Sequence, residues 1–186
     1  MLLGKQGAGK GTQAKRLAQH YGTRHLATGD LLRDAVRKGT ELGQEASRYM
    51  NGGDLVPDHL AVGIVEECFR SEDLPARGFV LDGFPRTRPQ AEALERALAP
   101  AVLDAVVNLH VPTDVVLERI AKRKHVEGRD DDTDVAIRRR LELYELETQP
   151  LVDFFRRLDR LVDVDGMGEP DDVFKRLVAA IDERMP

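Results

Sequence analysis

Short apolar runs alternate with stretches of helical periodicity along the whole chain. The runs fall at Met1–Leu3, His25–Ala27, Phe79–Leu81, Ala105–Val111 and Leu161–Val164. They are brief, rich in Val and Leu, and read as buried strands. Between them the spacing changes. Ala14, Leu17, Ala18 and Tyr21 fall at i, i+3, i+4 and i+7, with Gly22 as a stop. Val62, Val65 and Phe69 repeat in the same way, as do Ala91, Leu94 and Leu98, and a last helix from near Asp171 buries Val173, Leu177, Val178 and Ile181. Strands alternating with helices predict an α/β fold with a parallel sheet covered on both faces. Ligands of such sheets sit beyond the carboxyl ends of the strands.

Composition narrows the class. The chain has 186 residues, enough for one compact domain, with 41% hydrophobic and 33% charged residues. Cys68 is the single cysteine, so no internal disulfide and no four-cysteine zinc site is expected, and a reducing compartment fits. No apolar run approaches the ~20 residues of a membrane span, and no signal peptide is evident. Cytoplasmic placement is expected. A net charge of −5 disfavours nucleic acid as partner, because that binding is driven by phosphate neutralisation. Any polyanion site has to be a local cluster of cations.

The clearest such site is Gly4-Lys5-Gln6-Gly7-Ala8-Gly9-Lys10-Gly11-Thr12, which follows a strand and opens a helix. Glycines let backbone N–H groups converge on phosphate oxygens, the helix N-terminus adds partial positive charge, and Lys10 follows the β- and γ-phosphates. The competing reading is a glycine-rich turn with an incidental lysine. Two departures from the P-loop pattern stand out. Gly11 occupies the position where Ser or Thr normally meets magnesium, so Mg2+ is expected to be held mostly through water. Only three residues precede Gly4, short for a central strand of about 5–6, which fits a truncated or misassigned start.

From Gly7 to Gln13 the chain resembles the adenylate kinases and their close nucleoside monophosphate kinase relatives. Four further stretches, in the same order as in that family, extend the likeness over essentially the whole sequence. They are Thr28-Gly29-Asp30-Leu31-Leu32-Arg33, Gly53-Asp54-Leu55-Val56-Pro57, Gly78–Arg86 with its Asp82-Gly83-Phe84-Pro85-Arg86 ending, and Gly128-Arg129-Asp130-Asp131-Asp132. The resemblance implies a three-layer P-loop NTPase fold with a five-stranded parallel sheet. It also implies a small helical acceptor-binding insertion over about 27–56, a short lid over 122–132, and a monomer. The implied reaction is ATP + AMP to 2 ADP, with Mg2+ accompanying ATP.

Residue roles carry over by position. Gly7, Ala8, Gly9, Lys10, Gly11 and Thr12 would hold ATP with Arg119, Arg123 and Gly168. Thr28, Arg33, Asp54, Leu55, Val56, Gly83, Phe84, Pro85, Arg86 and Gln90 would meet AMP, and Arg129 and Arg140 would join them. Lys10, Arg86, Arg123, Arg129 and Arg140 would carry the transfer, and Asp82 would organise the magnesium waters. Plainer roles compete at several positions. Thr28 or Asp30 is expected to cap a helix, Asp82 could cap a neighbouring helix, and Asp165–Gly168 could be a simple turn. Eight cations fall between Arg119 and Arg140, and some are expected on a solvated face balanced by Glu142, Glu145 and Glu147. Arg138, Arg139 and Arg140 step about 100° each, so they cannot share one cleft. The resemblance selects Arg140 and places Asp131 and Asp132 at the arginines or the lid hinge. Residues 125–132 are expected to form only a short loop. A UMP/CMP kinase is the alternative within the class, although its members usually have Ala and Asn where this chain has Thr28 and Gln90. A P-loop ATPase or switch module is the alternative outside it.

Overall fold

The computed structural model describes residues 1–72, 78–127 and 133–185. Five strands, β1 (Leu2–Leu3), β2 (Arg24–Ala27), β3 (Phe79–Asp82), β4 (Val106–His110) and β5 (Leu161–Asp165), form one sheet in the order β2-β3-β1-β4-β5. Every pairing is parallel. β1 is only two residues long yet is paired on both sides, Leu2 with Asp82 and Val107 and Leu3 with Asn108.

Both faces of the sheet are covered, as the near-continuous apolar runs require. Alternation along the strands sends Leu3, Leu26, Leu81, Val106 and Leu161 into one core. They meet α4 (Asp58–Glu72), α5 (Arg88–Leu98) and α8 (Gln149–Arg157) there, through residues such as Phe69, Leu94 and the fully buried Phe155. Leu2, Val107, Leu109 and Val164 point the other way. Their partners are α1 (Lys10–His20), α6 (Thr113–Glu127) and α9 (Pro170–Asp182), through Leu17, Ile120 and Leu177. Val178, expected in the core, packs at its edge and is half-buried.

The region after β2 has its own small core. α2 (Thr28–Arg37) and α3 (Glu41–Gly52) pack through Leu32 and Ala46, joined by Val56 and by Ile64 of α4. Gly43 is needed there, since a Cβ at that position would run into the Ala35 backbone. Thr40 caps α3, its hydroxyl accepting from Gly43 N at 3.1 Å.

Two expectations need correction. Neither Thr28 nor Asp30 caps α2: the cap position is Ala27, with no side-chain hydrogen bond. β2 runs straight into the helix without a loop residue, so Thr28 is already in the first turn and turns inward. The loop expected from residue 125 starts later, because α6 continues to Glu127. No Gly or Pro interrupts it before Gly128. After Thr133, α7 (Asp134–Leu143) leads through a π-helical turn, Tyr144–Thr148, directly into α8.

Candidate active site

A cleft of about 1000 Å³ opens at the carboxyl ends of β1, β2 and β3. Its floor is the loop between β1 and α1. Gly4, Gly7 and Gly9 have φ of 144°, 84° and 99°. At Gly7 no side chain fits: a Cβ would lie 2.7 Å from Ile120 Cγ1 and 2.9 Å from the Val116 carbonyl oxygen. The loop therefore lies flush on α6, and Ala8 N closes it by donating to Lys5 O at 3.1 Å. Lys10 folds back over the loop and donates to the carbonyl oxygens of Gly4 at 2.7 Å and Lys5 at 2.9 Å. Lys5 braces the loop from outside, donating to Thr113 Oγ1 at 2.7 Å and pairing with Glu145 at 2.8 Å.

One end of the cleft is closed by Arg119. It donates to Ala8 O at 3.3 Å and to Gly166 O at 3.1 Å, fixing its guanidinium between the phosphate loop and the segment after β5. Arg176 holds that segment from behind, donating to Asp165 Oδ2 at 2.7 Å and to the Met167 carbonyl. Gln13 ties α1 to the start of α9 through Nε2 and Pro170 O at 2.9 Å.

Across the cleft stands a cluster of arginines. Arg86 follows the turn at Gly83-Phe84-Pro85, and its Nε donates to Gly83 O at 2.9 Å. Burial, the nearby Arg140 charge and that of Arg33 hold its guanidinium below the ordinary arginine pKa, with Asp82 opposing them. Arg140 lines the same space and donates to Met50 O at 3.1 Å. Arg33 lies over Gly29 and pairs with Asp30 at 2.5 Å. Three guanidinium groups gathered in one space are a site for an anion of more than one charge. Asp82 leaves β3 against the phosphate loop, 3.3 Å from where a Gly11 Cβ would be.

The arginine triplet divides as the helical spacing requires. Arg140 faces the cleft, whereas Arg138 and Arg139 are exposed. Arg139 pairs with Asp54 at 2.8 Å and with Glu142 at 3.7 Å. The Asp54 carboxylate is thus turned to α7. Gly53 packs so closely there that a Cβ would lie 2.5 Å from Ala136 O.

The residues expected at Gly7–Thr12, Thr28, Arg33, Asp54–Val56, Asp82–Arg86, Gln90, Arg119, Arg140 and Gly168 all line this one cleft. The Arg123 side chain, Arg129, Asp131 and Asp132 lie outside the described residues. The Thr28 hydroxyl is buried and has no hydrogen-bond partner among the described residues. Three participants were not anticipated. Asp58, at the start of α4, accepts from Gln90 Nε2 at 2.7 Å and from Thr87 Oγ1 at 2.9 Å. Thr148, in the π turn, donates to the Arg86 carbonyl at 2.9 Å.

A phosphate loop opposed by a cluster of arginines, on a parallel sheet with a small helical insertion after the second strand, defines a P-loop phosphotransferase of the nucleoside monophosphate kinase class. The comparisons agree. The family model for adenylate kinase matches residues 2–160. The adenylate kinase of Stenotrophomonas maltophilia strain K279a is 46% identical over 183 residues, covering 97% of each chain. That of Porphyromonas gingivalis strain W83 is 45% identical, over 98% of this chain and 95% of its own. That of Archaeoglobus fulgidus is 40% identical, over 98% and 97%. The chain belongs to the adenylate kinase family and is a nucleoside monophosphate kinase. Neither the pyrimidine-kinase nor the ATPase alternative is favoured. Among the described residues no helix is long and apolar enough to cross a membrane, and no three His, Cys, Asp or Glu side chains are grouped to hold a metal.

Proposed function

We propose that this chain transfers the γ-phosphoryl group of ATP reversibly to AMP, as a cytoplasmic monomer that balances adenine nucleotides. The observation that carries the reading is the juxtaposition of the phosphate loop with Arg33, Arg86 and Arg140 in one cleft. Two polyanions held in line repel each other, and these cations offset that repulsion. The loop amides and Lys10 bind the donor phosphates, with Arg119 flanking the donor base and Gly168 beside it. Arg86 and Arg140 reach the region between donor and acceptor, and Arg123 and Arg129 are proposed to join them from the lid over 122–132. Arg33 holds the acceptor phosphate in the insertion over 27–56. Thr28, the Asp54-Leu55-Val56 backbone and Gln90 position the acceptor nucleoside, with Gly83, Phe84 and Pro85 shaping its wall.

The transferred group passes through a loose transition state whose charge lies on the equatorial oxygens. Arginines already gathered at that point stabilise it without reorganisation. The attacking atom is a phosphate oxygen ionised at neutral pH, so no side chain has to remove a proton. Water is the competing acceptor, and closure of lid and insertion excludes it.

The donor set at the loop suits Mg2+. One carboxylate, Asp82, lies beside Gly11 of the loop, too few protein ligands for a closed cage but suited to an ion that keeps its waters and phosphate oxygens. Asp82 would hold the ion through its waters, and the ion would supply positive charge that offsets that of the donor phosphates.

An acceptor panel of AMP, CMP, UMP, GMP and dTMP with magnesium-ATP tests the reading. AMP should be used best by a wide margin, and phosphate release without acceptor should be negligible. Equal use of CMP or UMP would overturn the AMP assignment, and rapid acceptor-independent hydrolysis would overturn the transfer mechanism.

A further inference from the structure

Gln90 is 2% exposed, yet it lines the cleft. A primary amide has two donor hydrogens on nitrogen and two lone pairs on oxygen. Its two ends are interchangeable in shape, so something must decide which end points where. Here both neighbours are chemically one-sided. The Arg86 backbone N–H can only donate, and it meets Gln90 Oε1 at 2.8 Å. The Asp58 carboxylate can only accept, and its Oδ1 takes a hydrogen from Gln90 Nε2 at 2.7 Å. The Thr87 hydroxyl adds a check on the carboxylate. Its oxygen caps α5 by accepting from Gln90 N at 3.4 Å, so its hydrogen is free to go to the same Asp58 oxygen, 2.9 Å away.

One hydrogen on Nε2 and one lone pair on Oε1 remain for a nucleobase. Adenine offers a matching edge, an amino hydrogen at N6 and an acceptor at N1. A 6-oxopurine offers the reverse, an acceptor at O6 and a hydrogen at N1. Turning the amide over would exchange the preferred base. With an ionised carboxylate behind it, the turned amide would set oxygen against oxygen at Asp58 and N–H against N–H at Arg86.

We propose that Asp58 is a specificity-setting positioning residue, which locks the Gln90 amide in the orientation that accepts adenine and rejects 6-oxopurine monophosphates. This rests on the proposed assignment of AMP as acceptor. Asp58 itself touches no substrate atom in this account; it acts through Gln90, and through Gln90 on the Arg86 backbone.

The test compares AMP with IMP, which differ in size by almost nothing and in polarity at this edge completely. In Asp58→Asn the new amide can donate as well as accept, so one of the two locks is removed. The expected result is a fall of roughly tenfold or more in the AMP-over-IMP ratio of kcat/KM, the effect of removing about one oriented hydrogen bond. KM for AMP should rise while KM for ATP stays unchanged. Should D58N fail to fold, Asp58→Ala carries the same test by removing the acceptor behind Gln90 Nε2 outright, with a fall of the same order expected. A folded variant whose ratio is unchanged, or which loses AMP and IMP activity equally, would overturn the assignment of Asp58 and leave the AMP reading intact. A parent enzyme that uses IMP as well as AMP would overturn the lock alone, and one that does not use AMP would overturn the reading it rests on.

Discussion

Replacing Thr28 by valine should make the ligand-free enzyme more stable and its acceptor site weaker. The Thr28 hydroxyl is buried in the first turn of α2 with no partner among the described residues. A buried polar group left unpaired costs about 1–3 kcal/mol. Valine has nearly the same shape and a similar helix propensity, so it removes that cost without opening a cavity. The lower end applies beside an open cleft, about 1 kcal/mol, which for a protein of this length raises the melting temperature by about 2–4 °C. In the complex the sign reverses. A neutral hydrogen bond to the acceptor nucleotide contributes about 0.5–1.5 kcal/mol, so KM for AMP should rise roughly 2–12-fold with KM for ATP unchanged. Thermal melts with and without AMP, alongside coupled assays in each substrate, read both effects. A variant that melts several degrees lower with an unchanged KM for AMP would show that the hydroxyl serves the fold and not the ligand.

Gly7→Ala forces a Cβ to 2.7 Å from Ile120 and imposes φ near 84° on a residue with a side chain, so a loss of about 2–5 kcal/mol in stability is expected by denaturant titration. Arg140→Ala removes one charge from the arginine cluster; if that charge meets a phosphate as proposed, kcat should fall roughly 10–150-fold at saturating nucleotides while the melting temperature holds or rises as repulsion on Arg86 is relieved. Burial holds the His25 ring below its ordinary pKa of 6.5, against the attraction of Asp82. The native state then binds fewer protons than the unfolded one. The stability this carries is full above pH 6.5 and is lost as pH falls through the folded value. His25→Gln should accordingly flatten the decline in melting temperature toward about pH 5.

The phosphate loop was legible because its demands are local: glycine at sharp turns, a strand before and a helix after. The sheet was legible because its strands are buried on both sides and read as unbroken apolar runs. What escaped was set by contacts distant in sequence. Asp58 looks like an ordinary acidic residue in the first turn of a helix, and nothing near it announces Gln90, 32 residues on. Thr148 meets Arg86 across 62 residues. Thr28 misled for a different reason: its type favours the cap, but the strand ended one residue too late to leave the cap position free. Rotation alone showed that Arg138, Arg139 and Arg140 could not share one cleft, and the resemblance selected Arg140, whereas the pairing of Arg139 with Asp54 needed the segment after α3 to be folded onto α7.

The π-helical turn between α7 and α8 has a bearing on how this enzyme would tolerate changes in length. Arg140, Tyr144 and Thr148 are spaced by four, and all three line the cleft. An α-helix would rotate each such step about 40° past a full turn, whereas the wider turn lets the residues stack. Deleting one residue within 144–148 would leave a sequence that still forms a continuous helix, and Leu151 and Phe155 would still anchor it in the core. Such a deletion would draw Thr148 away from the Arg86 carbonyl. Screens for folding or expression should therefore pass over the loss, and only turnover would register it.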